Sequence, residues 1–170
     1  MPFPLFDRTR LALRPLAERD HDVHLADLAR LSDPLPPYDR EDIPEIGRRI
    51  VAARRGGSAV IWMMGAHVIK LGLARYVIDL LERGMISAIA FNGACAIHDF
   101  ELALIGATSE NVARYIRAGE FGLWRETGRI NDVAVRAAAE GLGLGEALGR
   151  EIWEGAFPHR DVSILAAGYR

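Results

Sequence analysis

Residues 58–91, SAVIWMMGAHVIKLGLARYVIDLLERGMISAIAF, decide how this chain folds. The first seven residues, SAVIWMM, form an apolar run of strand length between Gly57 and Gly65. Over 73–84, Leu73, Val77, Leu80 and Leu81 share one helical stripe that stops at Gly84. MISAIAF, 85–91, is a second apolar run. The segment therefore reads as strand, helix, strand. Its connection is long enough for a parallel crossover, which is right-handed in nearly all sheets. Neither run alternates with polar residues, so helices are expected to bury both faces of the pair.

Outward from this unit, the sequence predicts mostly helix. Val23, Leu28 and Leu31 give 19–32 a helical pattern, which Pro34, Pro36 and Pro37 then interrupt. A second helix is predicted over 41–55. Ile43, Ile46, Ile50 and Ala53 share one of its faces, and RRGG ends it. Downstream, DFELALIG reads as a short helix. TSENVARYIRAG reads as a helix opening on a Thr/Ser cap, with Glu110 in its first turn. INDVAVRAAAEG and GEALGREIWEG give further helices, separated by the glycines of GLGLG. RDVSILAAGYR opens a last helix with Asp161 or Ser163 as cap. No repeat or linker interrupts the chain, so 1–170 is expected to be one domain. The expected class is α/β: an open parallel sheet of dinucleotide-binding type, helix-rich, with helices on both faces.

Composition narrows the function. Half of the 170 residues are hydrophobic and the net charge is −2, so no strong field favours nucleic acid or an anionic membrane. No apolar stretch approaches the roughly 20 residues that span a bilayer, and the N-terminus lacks a signal-peptide pattern. A single cysteine, Cys95, rules out an internal disulfide and fits a reducing cytoplasm. The chain is read as cytoplasmic, with no membrane or nucleic-acid partner.

Both apolar runs end in small residues. The first leads into GAHVIKLG, 65–72, and the second into NGACAIHDFE, 92–101. Ligands of open parallel sheets sit beyond the carboxyl ends of the strands. Glycine and alanine allow close approach to the backbone, and a helix starting near His98 would aim free N–H groups at an anion such as a pyrophosphate. His67 and His98 are proton-transfer candidates, because neutral imidazole works near pH 7.

The span 65–99 resembles the nicotinamide-binding half of the deoxyhypusine synthase family. That family carries T-S-N-x-x-S-S-G after one strand and T-T-A-G-G-x-E-E-D after the next. GAHVIKLG matches the first loop in length, with Gly72 on its closing glycine, and FNGACAIHD matches the second, with Asp99 on its final Asp. Gly65, Ala66 and His67 then fall on Thr, Ser and Asn, and Lys70 on a Ser. Asn92, Gly93, Ala94 and Cys95 fall on Thr, Ala, Gly and Gly. The resemblance implies NAD as cofactor, held by Gly65, Ala66, His67, Asn92, Gly93, Ala94 and Asp99. It makes His98, Asp99 and His67 the catalytic candidates, acting on an amine or polyamine by dehydrogenation and aminoalkyl transfer through an imine. His67 in place of an amide, and Ile97–His98 in place of the Glu-Glu pair, are departures closer to bacterial members of unknown substrate.

The synthases carry their imine-forming lysine downstream of any segment matched here. Two strands are also too few for a self-sufficient parallel sheet. The expectation is a homo-oligomer, or a chain completed by a C-terminal half. The rival reading is a non-catalytic binding or assembly module that keeps the nucleotide-binding fold. No metal site is expected, since HDFE is not a strong ligand spacing; the alternative for its acids is a helix-capping Asp99 and a solvated Glu101. Lys70 is read as a loop lysine and Cys95 as a packed small residue.

Overall fold

The computed structural model describes residues 3, 4 and 6–170. Its elements in chain order are β1 (His21–His24), α1 (Asp42–Arg55), β2 (Ile61–Met64), α2 (His67–Lys70), α3 (Ala74–Glu82), β3 (Ala88–Phe91), α4 (Gly93–Ile105), β4 (Ala107–Glu110), α5 (Val112–Ala118), α6 (Arg125–Glu140), α7 (Leu144–Glu154) and α8 (Ile164–Tyr169). The protein is a helix-rich α/β structure.

The 58–91 unit forms as read. β2 and β3 pair in parallel, with Ile61 opposite Ala88 and Met64 opposite Phe91. Ser87 seals the start of the pair: its hydroxyl accepts from the Val60 amide at 2.8 Å, and its own amide donates to the Val60 carbonyl at 3.0 Å. The strands are shorter than the apolar runs that encode them.

The open parallel sheet is limited to one strand pair among the described residues. Among the described residues, β2 and β3 stand as one two-stranded sheet, and β1 pairs antiparallel with β4 in another. Helices do not bury both faces of the parallel pair either. Trp62, Met64, Ile89 and Phe91 pack inward against Ile69, Val77, Ile78 and Leu102. On the other face Ile61 is 62% and Met63 79% exposed. The helix that could cover them, α1, buries none of its own residues and leaves Ile43 and Ile46 in solvent. The Arg54 guanidinium fixes the end of α1 by donating to the carbonyls of Gly84 and Ser58, at 2.7 and 3.1 Å.

Two helix expectations fail together. Residues 21–24 are strand, not helix, and a short 3-10 turn, Leu25–Asp27, follows. Residues 107–110 are strand as well, and the cap of the following helix is Asn111, whose side chain accepts from the Arg114 amide at 3.0 Å. The two errors have one cause: each segment is the other's partner, Val23 opposite Thr108 and His21 opposite Glu110. Local pattern cannot register a pairing between segments so far apart in the chain, and tertiary contacts override weak helix propensity.

The core gathers on α4. Phe100 and Ala103 pack with Val133, Leu148 and Ile152 of the helices that follow and with Phe157 of the loop after α7, and Phe100 meets Phe157 edge to face at 5.1 Å. Ser163 caps α8, accepting from the Ala166 amide at 3.0 Å, as one of the two residues expected there. α7 and α8 cross at Gly149, where an added Cβ would lie 2.4 Å from the Leu165 carbonyl oxygen.

This crossing yields a matched pair of substitutions. Gly149→Ala forces the two helices apart and is expected to destabilise by about 1–3 kcal/mol. Gly47→Ala, inside α1 with nothing near its added methyl, is expected to stabilise by roughly 0.5–1 kcal/mol through helix propensity. Urea denaturation of both variants checks the two signs.

Candidate functional site

The two loops beyond the carboxyl ends of β2 and β3 are neighbours. Gly65 and Ala66 lead into α2, and Asn92 leads into α4, accepting from the Cys95 amide at 3.2 Å. The Cys95 thiol lies 3.8 Å from the Met64 carbonyl and donates toward it, tying one loop to the other. Burial pushes this thiol above its ordinary pKa, which keeps it protonated in that role. Gly65 and His67 are exposed, Ala66 and Lys70 half-buried, and Asn92, Gly93 and Ala94 exposed.

A cleft of about 720 Å³ runs along the free edge of β3 to the start of α4. Asn92 and Gly93 reach it, with Gly145, Glu146 and Tyr169 on the far wall. Gly65, Ala66 and His67 do not line it. The structure therefore divides the expected cofactor residues: the second loop borders the cleft, while the first packs against the flank of α4.

Asp99 and His98 also part, because adjacent helix positions point about 100° apart. Asp99 is fully buried and faces α8. One oxygen accepts from the Ile164 amide at 2.8 Å; the other accepts from the Ser163 hydroxyl at 2.6 Å and the Leu165 amide at 3.1 Å. It is a helix clamp turned away from both loops. Burial lifts its pKa to about 6, against the lowering pull of its three donors.

His98 faces a polar network that the sequence reading did not contain. Its Nδ1 lies 2.8 Å from the Thr108 hydroxyl, which donates to Glu101 at 2.7 Å. Glu101, expected in solvent, is instead 1% exposed. It receives two N–H groups of Arg19, at 3.0 and 2.5 Å, and the Thr127 hydroxyl at 2.6 Å. Arg19 also sits over the Trp124 ring and donates from Nε toward His21 Nδ1 at 3.3 Å. Burial, with Arg19, Lys70 and His67 against the opposing pull of Glu101, holds the His98 imidazole below its usual pKa. His21 is lowered by burial first and by Arg19 second. Arg19, Thr108 and Thr127 come from three other parts of the chain. The only sequence signal was an acidic residue on the apolar helix α4.

No three His, Cys, Asp or Glu side chains among the described residues gather as metal ligands would. No described helix is long and apolar enough to cross a membrane. No family model, curated protein or solved structure matches the chain.

Two substitutions test this account of α4. Glu101→Gln leaves Arg19 buried without its counter-charge and is expected to cost about 3–5 kcal/mol in chemical denaturation. Asp99 should give the folded state a distinctive pH dependence. Well below pH 4 its carboxyl is protonated in both states. As pH rises, the unfolded chain ionises first, while the folded group waits until about 6. Stability therefore falls by up to ~3 kcal/mol between pH 4 and 6, relative to Asp99→Asn at each pH.

Proposed function

We propose that the chain is the nucleotide-holding part of a deoxyhypusine synthase-like protein of the cytoplasm, acting by NAD-dependent amine dehydrogenation and aminoalkyl transfer through an imine. One observation carries this reading: the two loops whose spacing resembles that family lie together beyond the carboxyl ends of a parallel pair, bridged by the Cys95 thiol and the Met64 carbonyl. The rival reading, a non-catalytic assembly module, draws on the bare apolar surface described below.

The residues bordering the cleft fit a nucleotide. The amide of Gly93 at the cleft, and that of Ala94 next to it but outside the lining, precede the first intrahelical bond of α4, where an anion is favoured. A Cβ at Gly93 would meet nothing within 4 Å, so the backbone there is open to close approach. Glu146 across the cleft is suited to ribose hydroxyls or an ammonium group. NAD, when bound, would take up hydride from the carbon bearing the amine. His98, held neutral, does not line this cleft but lies on the side of α4 toward α2 and β4, and is proposed to accept the proton from an amine that reaches that side of the helix. His67, exposed on α2, stands as a second candidate.

The assembly is proposed to include a second copy of this chain. Its accessible surface is 10848 Å², roughly 2,500 Å² more than a compact monomer of 18.7 kDa should expose. An excess of that size matches the surface of a stable interface. Ile43 and Ile46 on α1, and Ile61 and Met63 on β2, are two apolar faces of one chain that do not cover each other. Exchange between copies would let α1 of each cover the sheet of the other.

Sedimentation of the chain is expected to give a dimer, and Met63→Glu a folded monomer; a monomeric wild type at micromolar concentration overturns the assembly. Titration with NAD, followed by calorimetry, is expected to saturate, and Gly93→Asp to weaken binding at least tenfold, or about 1.4 kcal/mol. A dimer that gives no heat with NAD decides for the non-catalytic module.

A further inference from the structure

Thr108 and Glu101 lie outside the span 65–99 that carries the nucleotide reading, yet both are buried and both lead to His98. We propose that Thr108 is a positioning residue: its hydroxyl fixes His98 as the Nδ1–H tautomer and leaves Nε2 as the proton-accepting nitrogen. The assignment deepens the reading of His98 as proton acceptor and rests on it only for the use made of that nitrogen.

The argument is a count of protons. Glu101 binds a guanidinium that stays charged, and every group facing it is a donor, so it is a carboxylate. Thr108 has one hydroxyl proton, which goes to Glu101 Oε2 at 2.7 Å. At His98 Nδ1, 2.8 Å away, the hydroxyl oxygen can then only accept, so Nδ1 carries the proton. In a neutral imidazole the other nitrogen, Nε2, is then bare. A proton arriving at Nε2 gives an imidazolium whose Nδ1–H keeps the same partner, so the network takes up charge without rearranging.

Charge and backbone agree. Burial outweighs the pull of Glu101, which Arg19 offsets in part, so the network does not charge His98 in advance. The charged and titratable groups that act on the ring are Glu101 on its own helix, Lys70 and His67 from α2, and Arg19 from the N-terminal segment, with His21 hydrogen-bonded to Arg19. β4 is built to turn Thr108 inward: Ala107, Thr108 and Ser109 are buried in succession, where a strand would alternate, and Ser109 sits at φ +65. A left-handed serine inside a strand is strain that persists when its surroundings demand it.

The test uses long-range nitrogen–proton spectra of the full ¹⁵N-labelled chain at neutral pH, with His98 assigned by loss of its signals in His98→Gln. Wild type and Thr108→Ser, which keeps the hydroxyl, are expected to show His98 protonated at Nδ1 and bare at Nε2. Thr108→Val is expected to lose the Nδ1–H majority in favour of Nε2–H. Wild type with the proton on Nε2 overturns the proposal, as does Thr108→Val with the tautomer unchanged. If Thr108→Val does not fold, the wild type and Thr108→Ser spectra decide alone. NAD takes no part in these spectra, so a failed NAD titration beside an Nδ1–H His98 removes the cofactor and retains the positioning role.

Discussion

The Arg19–Glu101 pair is the contact on which four parts of the chain converge. Glu101 lies on α4, Arg19 comes from the N-terminal segment, Thr108 from β4 and Thr127 from α6. Burying two charges is costly, and such a pair holds only when its remaining hydrogen-bonding capacity is filled. Here both carboxylate oxygens are fully engaged and the guanidinium rests on Trp124, itself packed against Tyr115. The geometric demand of that pair draws the N-terminal strand β1 onto β4. It also places a hydroxyl against His98. Structure and candidate chemistry thus share one constraint.

The opposite side of the molecule has no comparable closure. The parallel pair packs one face and leaves the other bare, and α1 stands off with Ile43 and Ile46 in solvent. Nothing in the hydrophobic effect favours two such faces remaining apart, since burying apolar surface is worth roughly 25 cal/mol per Å².

α4 also shows how much chemistry one helix divides between its sides. Position 95 ties the two loops, position 98 meets the polar network, position 99 clamps α8, and position 100 fills the core. Residues 98 and 99 look like one acid–base cluster in the sequence. In the fold they belong to different sides of the helix, one half-exposed toward α2 and β4 and the other sealed against the start of α8.

The sequence by itself determined the parallel unit at 58–91, the helices of the C-terminal half and a last helix capped by Asp161 or Ser163, because each is set by neighbours a few residues away: runs, stripes, glycine stops and a side chain that reaches its own backbone. It also brought the loops after Met64 and Phe91 together, since consecutive parallel strands must end on the same edge. Only the tertiary structure decided what lies between distant segments. The strands at 21–24 and 107–110 have no pattern strong enough to declare themselves, and each exists because the other supplies its hydrogen bonds. Arg19 finds Glu101 across 82 residues, a pairing that no local rule encodes. Whether an apolar face is covered depends likewise on where another element docks, which is why Ile61 and Met63, indistinguishable in sequence from core residues, stand in solvent.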